Sequence, residues 1–191
     1  MAISIPMHEA MHAYAAHLLG DSTAEDQGRL TLNPIKHVDV LMTIVLPAIL
    51  LLLHLPPIFV AKPVPFDPRS VRYGNFGAAM VGLAGPFTNL VLAFIASVFL
   101  RIADSSSLIS TILLYFAEIN VVLFVFNMIP LPPLDGSRLL YAFAPEPIQR
   151  IMYTMESAGL GVTIVLLLLL SSFISPVVSN VSNGILTFLL R

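Results

Sequence analysis

His8, Glu9 and His12 stand in the order H-E-x-x-H within the stretch "SIPMHEAMHAYAAHLLGD". Residues four apart on a helix share a face, so the two imidazoles can be aimed at one ion. Neutral imidazole suits zinc, and a catalytic zinc takes three protein ligands and leaves one position for water. Glu9 is turned from His8 by about 100° around a helix, which keeps its carboxylate off the metal but near that water. Zinc lowers the pKa of such a water to about 7. A neighbouring carboxylate can then take the proton and pass it to a leaving amine. On spacing alone the motif supports metal-assisted hydrolysis of a peptide bond. The competing reading is a chance pattern on a polar helix face, which is costly in so apolar a helix.

A third ligand is required. His17 lies five residues after His12 and points about 140° away from it, so it is expected at an interface rather than on the metal. His37 and His54 are expected to be surface or packing histidines. Asp135, in "NMIPLPPLDG", is better placed. Irregular backbone among apolar residues is tolerated at membrane depth only when buried in protein or lining a wet cavity, and a dication would neutralise the aspartate there. An ordinary Asp-Gly turn at the membrane surface is the alternative. Asn89, in "GLAGPFTNL", could donate to the oxyanion formed when water attacks a carbonyl. An interhelical hydrogen bond explains it equally well. Glu118 is expected to be a satisfied buried acid away from the chemistry.

These residues must be positioned by membrane helices. Of 191 residues, 57% are hydrophobic and 10% charged, and the mean hydropathy is +0.91. Soluble domains carry about a quarter charged residues, so the chain is an integral membrane protein. A net charge of −2 argues against a nucleic-acid partner. The absence of cysteine excludes disulfides and thiolate sites. No basic region precedes the first apolar stretch, so no cleavable signal is expected. The pattern predicts an all-α, polytopic single domain over residues 1–191 with about five transmembrane helices. These are Ala2–Gly20, Leu41–Phe59, Phe76–Leu100, Leu108–Met128 and a last span from Leu160. The tail after the leucine run could complete that span and add a short re-entrant or interfacial helix.

If helix one runs from side X to side Y and the next three alternate, then "HEAMH", "AGPFTN" and "PPLDG" all fall toward X. Loops on X then carry Lys62, Arg69, Arg72, Arg138 and Arg150, against Arg29, Lys36 and Arg101 on Y. The positive-inside bias places X in the cytoplasm.

Taken together and in this order, "HEAMH", "AGPFTN" and "NMIPLPPLDG" resemble the site-2 proteases, intramembrane zinc metalloproteases that cleave segments in or near the bilayer. "GDSTAEDQGRLTLNPIKHVD" and "AKPVPFDPRS" look like a compact prokaryotic branch without PDZ domains. The resemblance implies one zinc per chain bound by His8, His12 and Asp135, with Glu9 as general base. It implies that Asn89 positions substrate or stabilises the oxyanion. Partners would be transmembrane protein substrates and the lipid bilayer, and the site would lie toward the cytoplasmic side of the cell membrane. Oligomeric state stays open. Relatives usually carry more apolar sequence before the H-E-x-x-H, so either the helix is short and the site near water, or the chain is truncated. The proline-rich "AKPVPFD" is expected beside the site, as a rigid connector or as an edge that a substrate strand pairs with. Two rivals are a non-catalytic relative that binds membrane segments and a metal or proton transporter. Glu9 argues against the first, and a polar cluster confined to one side argues against the second.

Overall fold

The computed structural model describes residue 1, residues 3–33, residue 36 and residues 45–54, 64–104 and 106–191. Among them every regular element is helical: α1 Ser4–Leu18, α2 Thr23–Asp26, α3 Leu46–Leu52, α4 Asn75–Leu100, α5 Leu108–Asn127, α6 Gly136–Phe143, α7 Glu146–Ser157 and α8 Gly159–Leu189. Three stretches are long and apolar enough to cross a membrane: Asn75–Leu100, Leu108–Asn127 and Ile164–Leu189. The expected count of about five is therefore not reached among the described residues. The expected helix one is α1, only 15 residues long. The expected helix two is described only around α3, and His37 lies outside the described residues.

The packing of α1 against α4 is set by small side chains. Ala10, Ala13 and Ala16 of α1 are fully buried, and Gly85 of α4 faces His8 and His12, while Gly77 and Gly82 give the same close approach to Arg72 and to Asp135 and Arg138. Small residues let two helix backbones approach closely without a hydrophobic driving force between them. The two helices are antiparallel, because His8 meets Asn89 while His12 meets Val81. This reverses the expected course of helix one. Its C-terminal end lies beside the start of α4, where the N–H of Arg72 donates to the carbonyl of Leu19 at 2.9 Å. α1 thus runs from Ser4, which meets Asn120 inside the bundle, outward to side X. The sequence count assumed that helix one starts at a surface.

The flanks of residues 34–63 are also on one side rather than two. Leu30 and Val64 pack in a single cluster with Ala13 and Ala24. Residues 64–72 form a strap beside α1. Asp21, 1% exposed, accepts the Asp67 N–H at 2.9 Å with one carboxylate oxygen, and the Thr23 N–H and hydroxyl with the other. The backbone N–H of Arg69 and its guanidinium hold the Asp67 carboxyl below the usual carboxylate range.

The C-terminal tail differs from expectation as well. Where the tail is expected to complete the last span and add a short re-entrant or interfacial helix, α8 is one continuous helix of 31 residues with Pro176 inside it. Ser171 returns its hydroxyl to the Leu168 carbonyl at 2.7 Å, and membrane helices tolerate an internal proline. At about 1.5 Å per residue such a helix is longer than a hydrocarbon layer of about 30 Å. The extra helix expected at the terminus is the far end of this one. Arg101, at the turn after α4, donates to the Leu189 carbonyl at 3.1 Å and pins that end. Ala93, Val121, Val125 and Leu189 form the apolar core there.

Candidate metal centre

His8 and His12 face α4 from one side of α1 and are 7% and 8% exposed. Their Nε2 atoms are 3.1 Å apart. Asp135 reaches them from the cap position of α6, with Oδ2 3.0 Å from His8 Nε2 and Oδ1 3.4 Å from His12 Nε2. Donor atoms from the three residues all lie within 4.8 Å of one another. A tetrahedral ion with bonds of 2.0–2.1 Å needs donors about 3.3 Å apart, so the residues present fit zinc.

The other ring nitrogens are committed. His8 Nδ1 lies 2.6 Å from Asn89 Oδ1, and His12 Nδ1 lies 2.7 Å from the Val81 carbonyl. Both acceptors require the proton on Nδ1, which leaves each Nε2 lone pair aimed at the shared point. Metal-binding histidines are commonly oriented in this way. Asn89 is itself fixed: its Nδ2 donates to Asn120 Oδ1 at 2.9 Å. Asn120 donates in turn to Ser4 Oγ at 3.0 Å and to the Phe116 carbonyl at 2.8 Å. Asn89, Asn120 and Ser4 are all fully buried. Asn120 and Ser4 had no signal in the sequence beyond being polar residues in apolar helices.

Two glycines make the approach feasible. A Cβ on Gly85 would stand 2.3 Å from His12 Nε2 and 2.7 Å from His8 Nε2. A Cβ on Gly136 would stand 2.4 Å from the Met128 carbonyl oxygen. The turn carrying Asp135 therefore folds back onto the end of α5 only with glycine after the aspartate. That is a stricter requirement than an ordinary Asp-Gly turn.

Glu9 is half-buried on the adjacent face of α1 and is not among the residues whose donor atoms converge. Its Oε2 accepts the Val64 N–H at 3.1 Å. The described end of "AKPVPFD" thus lies against Glu9, but this backbone donor is already used and is not open to a pairing strand. Residues 61–63 lie outside the described residues. His17 is exposed and pairs with Glu25 at 3.2 Å. His54 follows α3 with φ of 57° and joins no convergent group. Glu118, expected to be satisfied, is only half-buried and makes no hydrogen bond or ion pair among the described residues.

Residues 101–170 match Peptidase family M50. The chain is 37% identical over 190 residues to the "Putative zinc metalloprotease YwhC" of Bacillus subtilis, covering 95% of this chain and 81% of that protein. It is 27% identical over 173 residues to the "Putative zinc metalloprotease Rip2" of Mycolicibacterium smegmatis, covering 87% and 64%. It is 26% identical over 99 residues to the "Zinc metalloprotease MJ0392" of Methanocaldococcus jannaschii, covering 52% and 29%. No solved structure matches. Likeness along nearly the whole chain, joined to a convergent His-His-Asp cluster with a glutamate beside it, makes this protein a zinc metalloprotease of the M50 peptidase family, the site-2 proteases.

Proposed function

We propose that this protein is a multi-pass enzyme of the cell membrane that hydrolyses peptide bonds in or next to transmembrane segments of its substrates, using one zinc per chain. The observation that carries the reading is the convergence of His8, His12 and Asp135 beside α4, with Glu9 on the next position of α1. When bound, zinc would polarise the scissile carbonyl and make water nucleophilic near neutral pH. His8 and His12 would hold it together with Asp135, each imidazole kept in one tautomer by its Nδ1 partner, Asn89 for His8 and the Val81 carbonyl for His12. Glu9 takes the proton from the attacking water and hands it to the leaving amine. The Val64 N–H fixes one oxygen of that carboxylate and leaves the other for the proton.

Depth supports an intramembrane site. Asn89 is the fifteenth of the 26 residues of α4 and Gly85 the eleventh. At about 1.5 Å per residue the cluster lies roughly 15 Å in from the start of that span. His8 is deep because α1 begins inside the bundle and runs outward. With both hydrogen-bonding ends of its side chain engaged, Asn89 is assigned here to orienting His8, in preference to the oxyanion role.

The test is to purify wild type and Glu9→Gln and measure bound zinc and cleavage of a helix-breaking transmembrane peptide. Zinc in both, with cleavage only in the wild type, is expected. Cleavage by Glu9→Gln at the wild-type rate would sink the mechanism, and zinc without cleavage in either protein would sink the activity.

A further inference from the structure

A largely apolar groove of about 500 Å³, with a few polar groups along it, opens between α5 and α8, away from the metal cluster. Glu118, Val122 and Phe126 line it at successive turns of α5, and Ser175, Ser179 and Ser182 line it along α8. Glu118 also borders a second recess of about 320 Å³ on its other side. Three observations mark the groove as a binding surface rather than a gap in packing. The Glu118 carboxyl stands near the middle of a 20-residue span without a partner among the described residues. Ionisable groups at that depth are retained where they meet a partner or a functional path. The Ser182 hydroxyl is buried, 3% exposed at the residue level, and has no hydrogen-bond partner. Ser175 and Ser179 are exposed one turn apart, the small-residue spacing that lets a further helix approach closely and bond across the interface.

Charge and size choose the occupant. A volume of about 500 Å³ is far larger than an ion with its ligands and suits side chains of a helix. A second copy of the chain is a poor complement, because α4, α5 and α8 contain no lysine or arginine and a symmetric pairing would bring two Glu118 carboxyls together. Val122 and Phe126 carry the groove to the end of α5, from which the loop bearing Asp135 departs.

We propose that this groove docks the transmembrane helix of the substrate, which presents one lysine or arginine to Glu118 at mid-bilayer depth and lies close against Ser175, Ser179 and Ser182. The proposal rests on the intramembrane-protease reading, so the experiment reads docking apart from cleavage. The chain has no cysteine, so Ser179→Cys gives a single reactive thiol. In bilayer nanodiscs, with Glu9→Gln present to block hydrolysis, this variant is mixed with a transmembrane peptide carrying one cysteine and a mid-span lysine, and disulfide cross-linking is followed. Cross-linking is expected to fall about tenfold when the peptide lysine is replaced by leucine, and again when Glu118→Gln is introduced. In the cleaving enzyme, Glu118→Gln should raise KM for the lysine peptide about tenfold, leaving kcat, bound zinc and turnover of the leucine peptide unchanged. Ser179→Leu, an exposed position, should weaken both peptides without loss of zinc. Cross-linking indifferent to the lysine and to Glu118 overturns the proposal. So does a Ser179→Cys homodimer that excludes the peptide, which would assign the groove to a second copy. Loss of cleavage with lysine-dependent cross-linking intact would instead count against the protease reading alone.

Discussion

Gly85 has no functional group, yet it is the residue on which the proposed metal ligands depend most directly. Its Cα hydrogen faces both imidazoles, and a methyl there would overlap His12 Nε2 and Cε1 and His8 Nε2. None of these atoms can retreat freely, because each ring is tethered through Nδ1. Gly85→Ala is therefore expected to lower zinc affinity by at least tenfold, although alanine is the better helix former. Zinc competition against a chelator, with helicity as control, checks this. Asn89 permits a finer test. A hydrogen bond between membrane helices is worth about 0.6 kcal/mol on average. Removing the orienting partner of a metal-binding histidine costs about 10–100-fold in affinity or activity. Positioning, then, is the larger effect. Asn89→Ala should weaken zinc binding by that factor, and Asn89→Asp, which keeps the acceptor, should restore most of it. If zinc affinity held and only kcat fell in Asn89→Ala, the oxyanion role would be the correct one. The metal-binding types and spacing were legible in the sequence. The partner of Asn89 was not, because His8, Asn89 and Asn120 are separated by 81 and 31 positions.

At the scale of elements, the strap at residues 64–72 connects the architecture to Glu9. It is fastened at three points, one on α1 and two on the turn that follows it: Val64 on Glu9, Arg72 on Leu19, and Asp67 on Asp21. Asp21 satisfies donors from both the strap and the start of α2. Its loss leaves two part-buried N–H groups without an acceptor, each costing less than the about 1–3 kcal/mol of a fully buried one. Asp21→Ala should lower the thermal midpoint and also reduce kcat, since Val64 would no longer be held on Glu9, the proposed general base. Unchanged kcat at a lowered midpoint would confine the strap to a structural part. The sequence reading found α4 and α5 within about a residue, because long apolar runs bounded by polar turns leave little choice. It divided α8, because serine, asparagine and proline are reliable breakers only where water competes for the backbone. The strap was legible only as a proline-rich connection. Its attachment depends on an aspartate 46 residues earlier.

For the whole molecule, the course of α1 decides which side each loop faces. With α1 leaving the bundle at the start of α4, Arg29 joins Arg69, Arg72, Arg138 and Arg150 at one end. Arg101 and the end of α8, before Arg191, stay at the other. The bias is larger than a sequence count with Arg29 and Lys36 on the far side implied. The positive-inside rule therefore supports a cytoplasmic location for that end more strongly, and with it an active site entered from the cytoplasmic half of the bilayer. The cysteine-free chain makes the arrangement directly testable in oriented vesicles with a membrane-impermeant maleimide. Gln27→Cys and Tyr153→Cys should label together from the cytoplasmic face, and Ser106→Cys from the opposite face; all three positions are exposed. The alternating course predicted from hydropathy puts Gln27 with Ser106 instead. Labelling of Gln27→Cys with Ser106→Cys would overturn the outward course of α1 and, with it, the depth assigned to His8.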